Sequence, residues 1–355
     1  MKKMIFICCV AMATVGKAQN NNAENTAGER GWYLKAGGGY FISSSPGQFP
    51  NVGGYPPQDV RESVDISGTV TSVQSQKVLT GSYGAGIRGG LTGGFQFNRY
   101  MAVELSARYY QSNSNLMTHI YATLDNTTPL PGALAGEITT HGHVSVVDVA
   151  PSLVISPGFT GRINPYVSIG VVVPVWGKLF INTAGYMLGT TDPANPSTAN
   201  ITKTNIARKD EINPNPTIGV QGAIGLTCKL TKKLSLFAEL EYRNVPVKSK
   251  NKEITAYSQV TTDVSGVNVL QTVGLNDLPV AVRETNYQTT LNANSNAALT
   301  SYTSNQNGFS LATVAYDQTG NVIYKDPTKP SDDLKSYINI GGLGLNVGLR
   351  LNLWK

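Results

Sequence analysis

The fold class that the sequence predicts is all-β: an eight-stranded antiparallel transmembrane β-barrel with long extracellular loops. Three observations lead there. Eight segments alternate apolar and polar residues with period two, the pattern of strands whose side chains point in turn to opposite faces of a sheet. The connections are long after the first, third, fifth and seventh segments and two to seven residues after the second, fourth and sixth, matching the short periplasmic turns and long outward loops of a membrane barrel with an even strand number. No stretch beyond the N-terminus approaches the ~18 consecutive apolar residues of a membrane-spanning helix.

The chain opens with Met1-Lys2-Lys3, an apolar run from Met4 to Val15, and Gly16-Lys17-Ala18 before Gln19. This is the order of a secretory signal, so residues 1–18 are expected to be removed. The apolar run is too short to span a bilayer as a helix, which needs roughly 20 residues. A lipoprotein signal would need cysteine at the cleavage point, whereas Cys8 and Cys9 lie inside the run. Cleavage takes away three lysines and no acid, lowering the formal charge from +6 to about +3, which is no nucleic-acid signature. It leaves Cys228 as a lone thiol, which excludes disulfides and cysteine metal sites.

Along the mature chain, 31–42 puts Trp32, Leu34, Ala36, Gly38 and Tyr40 on one face and Tyr33, Lys35, Gly37 and Gly39 on the other. Segment 82–97 sets Tyr83, Ala85, Ile87, Leu91, Phe95 and Phe97 against Ser82, Gly84, Arg88, Thr92 and Gln96, and turns at Asn98-Arg99 into 100–111. There Met101, Val103, Leu105, Ala107 and Tyr109 oppose Glu104, Ser106 and Arg108. Segments 143–155 and 163–179 flank a Pro157-Gly158 turn, the second carrying Val167, Ile169, Val171, Val173 and Val175 on its apolar face; Pro165 and Pro174 are unusual within a strand. Segment 217–230 alternates Ile218, Val220, Ile224, Leu226 and Cys228 with Gln221, Thr227 and Lys229. After Thr231-Lys232-Lys233, 234–248 sets Leu234, Leu236, Ala238, Leu240 and Tyr242 against Glu239, Glu241 and Arg243. Segment 337–354 closes with Leu343, Leu345, Val347, Leu349, Leu351 and Leu353 opposite Asn346, Arg350 and Asn352.

A soluble β-sandwich would share the alternation, but its loops need no alternation of length. Trp32, Tyr40, Tyr83, Phe97, Tyr100, Tyr109, Tyr242, Tyr337 and Trp354 fall near strand ends, where interfacial girdles place aromatic rings. The long connections are 43–81, 112–142, 180–216 and 249–336. The last is too long for structureless chain in a compact domain. Its segments 309–316 and 321–325 read as a hairpin, and a ten-stranded barrel using that hairpin is the alternative count.

On Gly31-Trp32-Tyr33-Leu34-Lys35-Ala36-Gly37-Gly38-Gly39-Tyr40-Phe41, Phe97-Asn98-Arg99-Tyr100-Met101-Ala102-Val103-Glu104-Leu105 and Gly348-Leu349-Arg350-Leu351-Asn352-Leu353-Trp354, the chain resembles outer-membrane β-barrel proteins of the OmpA/OmpX type, especially the version common in Bacteroidota. Ala18-Gln19 also resembles cleavage sites of that phylum. The resemblance implies a bacterial outer-membrane location, contact with outer-membrane lipid and lipopolysaccharide, and insertion by the outer-membrane assembly machinery, which reads a last strand ending in an aromatic residue. Here Lys355 follows Trp354, a departure from that pattern. With no peptidoglycan-binding domain after the last strand, anchoring to the cell wall is not expected.

If the apolar faces meet lipid, the opposite faces bring Lys35, Arg88, Glu104, Arg108, Asp148, Lys178, Lys229, Glu239, Glu241, Arg243 and Arg350 into the lumen. A barrel of about eight strands is just wide enough for side chains to fill, and unpaired buried charges cost several kcal/mol, so these groups should pair. The expected function is non-enzymatic: a barrel plugged by a charge network, offering its loops to a surface or envelope protein partner. The alternative is a small channel for ions or small solutes. A third reading, acid/base work by Glu239 and Glu241, rests only on their shared face.

The enzyme reading with most chemical content comes from a further resemblance, to eight-stranded lipid A deacylases that use a His-x-Ser pair. His143-Val144-Ser145 has that spacing, but Val146 stands where that family has Asn, and no acid on the same face completes the triad a serine nucleophile needs. His119, His141 and His143 would chelate a metal only if the second long connection folded back. No cofactor, metal or nucleic acid is expected.

Overall fold

The computed structural model describes residues 30–44, 47–50, 57–128, 130–192, 200–304, 310–315 and 322–353. The expected signal segment 1–18 and the terminal Trp354 lie outside the described residues. The chain is all-β, and a large sheet closes into a ring. The ring strands are β1 (Gly31–Ser43), β2 (Gly86–Gln96), β3 (Met101–Ser112), β4 (Leu134–Ile155), β5 (Ile163–Thr190), β6 (Gly219–Lys229), β7 (Leu234–Asn244) and β8 (Gly342–Asn352). Each pairs antiparallel with the next, and β8 pairs with both β7 and β1, from Tyr33↔Asn352 to Ser43↔Gly342. Closure pairs each of these strands on both sides around the ring, so most of their backbone groups are satisfied by one another, the exception being β5 beyond Val172.

The three tight turns at one end follow from local chemistry. In the β2–β3 turn the Asn98 side-chain oxygen accepts the N–H groups of Tyr100 and Met101 at 2.8 and 2.9 Å, an Asx turn. Thr231 Oγ1 accepts the N–H groups of Lys233 and Leu234 at 3.3 and 3.0 Å in the β6–β7 turn. The β4–β5 turn uses Gly158 at φ +71°, a left-handed conformation that glycine adopts freely.

Burial follows the alternation. Leu91 and Ile169 are each 65% exposed and Leu105 57%, while Lys35, Glu239 and Arg243 on the inward faces are 4%, 4% and 0% exposed. This inverts a soluble protein, whose charged groups are rarely fully buried.

Two features depart from the expected strands. First, the long connections are largely β-structure. β4 begins at Leu134 rather than 143, and β5 runs to Thr190 rather than ending at 179, as one hairpin paired out to Gly136↔Met187. Strands Ile201–Pro214 and Pro246–Asp263 add beside β5, and Asn115–Leu124 and Gln58–Val64 add beside β4. Their backbone groups pair with one another, so the sheet continues past the ring instead of breaking into loops. Of the candidate extra hairpin, residue 309 and residues 316–321 lie outside the described residues; its Ser310–Val314 pairs with Thr300–Ser304 in a separate sheet, and β7 pairs directly with β8 from Leu234↔Leu351 to Tyr242↔Leu343. Tyr83 is not a girdle residue; it lies in a turn before β2 and is 0% exposed.

Second, β5 carries a bulge between Pro174 and Trp176. One extra residue reverses which parity points inward. Before it Tyr166 and Val172 are buried; after it Leu179, Ile181 and Thr183 are. Lys178, expected in the lumen, therefore points outward and pairs with Glu211 at 2.6 Å.

Candidate functional site

The ring interior is filled in three layers. Nearest the tight turns, Lys35 Nζ lies 3.3 Å from Glu104 Oε1 and 2.5 Å from Glu239 Oε1. The Tyr33 hydroxyl donates to Glu104 at 2.8 Å and the Tyr166 hydroxyl to Glu239 at 2.6 Å. The Lys35 ammonium also sits over the Phe237 ring, 4.5 Å from its centroid. Arg350 stacks on Tyr33 at 3.7 Å and donates to Gln96 at 2.6 Å. Lys229 stands at the mouth, lining a cavity of about 80 Å³ with Lys35, Arg99, Glu104 and Arg350.

In the middle layer Glu241 accepts from Arg108 at 2.6 Å, from the Asn346 amide at 2.5 Å, and from Arg243 Nε. Arg243 Nη1 reaches both oxygens of Asp148 at 3.0 Å. Arg88 lies between the rings of Phe41 and Tyr110, at 4.2 and 4.5 Å, and its Nε and Nη1 have no hydrogen-bond partner among the described residues. Each carboxylate thus meets at least one cation, which is what makes a buried charge tolerable. Two cavities in this stretch measure about 20 and 10 Å³, room for about one water each.

The outer layer is apolar. Tyr83, Tyr110, Met117, Val144, Val146, Val172, Leu179 and Ile181 pack together as a buried cluster. The alternation identified a lumen face but not this change in its chemistry. The traceable signal is Val144 and Val146 sharing a face with Asp148.

Glycines give the aromatic rings their space. A Cβ on Gly94 would stand 2.2 Å from the Tyr33 ring, and one on Gly225 2.5 Å from the Tyr166 ring. The rings that donate to Glu104 and Glu239 therefore lie directly over glycines of the neighbouring strands.

Of the expected lumen residues, Lys35, Glu104, Glu239 and Arg350 meet in the inner layer, and Arg88, Arg108, Asp148, Glu241 and Arg243 in the middle one. Lys229 is at the mouth, and Lys178 is outside. Glu239 and Glu241 bind different cations rather than acting on a common atom. His143 stacks on Phe180 with centroids 5.4 Å apart, and Ser145 Oγ meets the Tyr109 hydroxyl at 3.3 Å, so both are engaged with groups other than each other. His119 Nδ1 and Nε2 meet Asp59 and Glu137 at 2.9 and 3.2 Å. Among the described residues no group of His, Cys, Asp and Glu is arranged to hold a metal ion.

Beyond the ring, Arg208 pairs with Asp210 at 2.5 Å. Burial, and then the neighbouring Arg208 charge, hold the Lys252 ammonium below its usual pKa. No protein-family model and no curated protein matches the chain.

Proposed function

We propose that the chain is an eight-stranded transmembrane β-barrel of a bacterial outer membrane, of the OmpA/OmpX kind, acting as a closed, non-enzymatic scaffold. Its outward β-extension offers contacts to an envelope or surface partner. The observation that carries the reading is the inversion of burial: apolar side chains face out all round the ring, and paired charges fill it. Strands β2, β3, β6, β7 and β8 are 11, 12, 11, 11 and 11 residues long, close to the roughly ten a tilted membrane strand needs.

Exposed aromatics support the same reading. Trp32, Phe97 and Tyr100 lie at the tight-turn end, and Tyr40, Tyr109 and Tyr242 at the other. Trp32 and Tyr40 are about 26 Å apart along β1 at ~3.3 Å per residue. A strand tilt of ~40° reduces that to about 20 Å, near the ~25 Å apolar band of outer-membrane barrels.

Closure, rather than conduction, is favoured by the ion pairs of Lys35, Arg108 and Arg243 across the lumen and by the apolar cluster above them. The test is heat-modifiable mobility on a gel together with planar-bilayer conductance of the refolded protein. A mobility shift without conductance is expected. Steady wild-type conductance would replace the scaffold with the small channel, and absence of both the shift and bilayer insertion would overturn the transmembrane barrel.

A further inference from the structure

The ring wall has a seam at its outer end. β5 pairs with β6 from Ile163↔Cys228 to Val172↔Gly219, and with the Ile201–Pro214 strand only from Leu179↔Ile212 outward. Residues 173–178 therefore have no ladder partner on that side among the described residues. The chain facing them, 213–218, is held from its other side. The Asn215 N–H donates to the Lys248 carbonyl at 2.8 Å, and the Thr217 hydroxyl to the Pro246 carbonyl at 2.6 Å. Pro214 and Pro216 have no N–H to offer β5, and the bulge at Pro174/Trp176 interrupts β5 itself. Prolines on both lips, Pro174 on β5 and Pro214 and Pro216 opposite, thus lack N–H groups that a ladder across the gap would use.

A cavity of about 230 Å³ fills the seam. Its inner wall is the buried apolar cluster, through Val144, Val146, Leu179 and Val247. Its outer lip is Val175 and Trp176, 59% and 47% exposed on the outward face. Lys178, Lys248 and Lys250 line it, and no carboxylate does. Glu211 pairs with Lys178, so Lys248 and Lys250 supply the excess positive charge. The volume exceeds the ~150 Å³ of a cavity that accepts benzene and falls short of the ~300 Å³ at which drug-sized pockets begin. That size suits a short alkyl chain.

We propose that the seam is a side portal, and the cavity behind it a binding site for an alkyl carboxylate: its chain against Val144, Val146 and Val247, its head group on Lys248 and Lys250. This rests on the transmembrane reading, which places the outer lip at the lipid surface. Asp148, two residues along β4 from Val146, belongs to the ion-paired layer, so the site ends blindly above the charges and holds its ligand rather than passing it through.

The test is equilibrium binding of radiolabelled decanoate to the full-length protein in phosphatidylcholine nanodiscs, against empty discs and with decanol as competitor. Saturable binding above empty discs is expected. The variant Lys248→Glu/Lys250→Glu, changed only at exposed positions, should weaken decanoate about tenfold and leave displacement by decanol little altered. Ile212→Trp, which fills the cavity, should abolish both. Absence of saturable binding, or decanoate affinity unchanged by the charge reversal, overturns the proposal. Failure to enter discs at all overturns the transmembrane reading and this site with it, whereas entry without binding overturns this site alone.

Discussion

Replacing Arg243 by methionine removes the most deeply buried cation of the lumen. Arg243 is 0% exposed and reaches both Asp148 oxygens at 3.0 Å, as well as Glu241. Removing one partner of a buried pair costs ~3–5 kcal/mol, because the other charge is left uncompensated. Glu241 keeps Arg108 and Asn346, so Asp148 alone is stranded. The space vacated by the guanidinium also admits water. These two considerations place the loss at the low end, about 3 kcal/mol, or more than a hundredfold in the folding equilibrium at ~1.4 kcal/mol per factor of ten. The assay is urea unfolding of the refolded protein in vesicles, followed by tryptophan fluorescence and the heat-modifiable band. The double variant Arg243→Met/Asp148→Asn removes both charges and should recover most of the loss, giving a coupling energy of about 2 kcal/mol. A single variant within about 1 kcal/mol of wild type, or a double variant whose loss equals the sum of the two singles, would refute the view that these charges depend on one another.

Three further outcomes are expected. Gly225→Val should destabilise the barrel by roughly 1–3 kcal/mol, as overpacking does, because its Cβ would meet the Tyr166 ring at 2.5 Å; the same unfolding assay reads it, and a neutral result would mean the ring moves freely. Deleting Val175 removes the bulge residue and should abolish the heat-modifiable band, since Leu179 and Ile181 would turn outward and Lys178 inward; a normal band would show that the parity switch is dispensable. The Asp263 carboxylate, held down to about 2 from 3.8 by hydrogen bonds led by that of Ser265, stabilises its turn above the unfolded pKa, and that stabilisation is lost as pH falls through about 2. A carboxyl titration by NMR with its midpoint near 3.8 would count against those hydrogen bonds.

Much of the ring is legible in the sequence because a strand's two faces are fixed by a period of two, whatever its neighbours. Lys35, Glu104, Glu239 and Arg243 could be assigned to one side without any tertiary knowledge, and the turns at Asn98, Thr231 and Gly158 carry their own side-chain or backbone chemistry. The connections were less legible, since the pairing of Ile201–Pro214 with Pro246–Asp263 joins segments far apart in the chain, and local pattern does not encode partner choice.

By itself, then, the sequence determined which residues share a face, where the tight turns fall and that charges would be grouped, all of which depend on near neighbours along the chain. Only the tertiary structure decided that Lys178 leaves the lumen, that Tyr83 and Val144 build an apolar layer above the charges, and that β5 parts from β6 at Val172. A bulge is defined by the strand opposite it, and burial by everything that packs around a side chain.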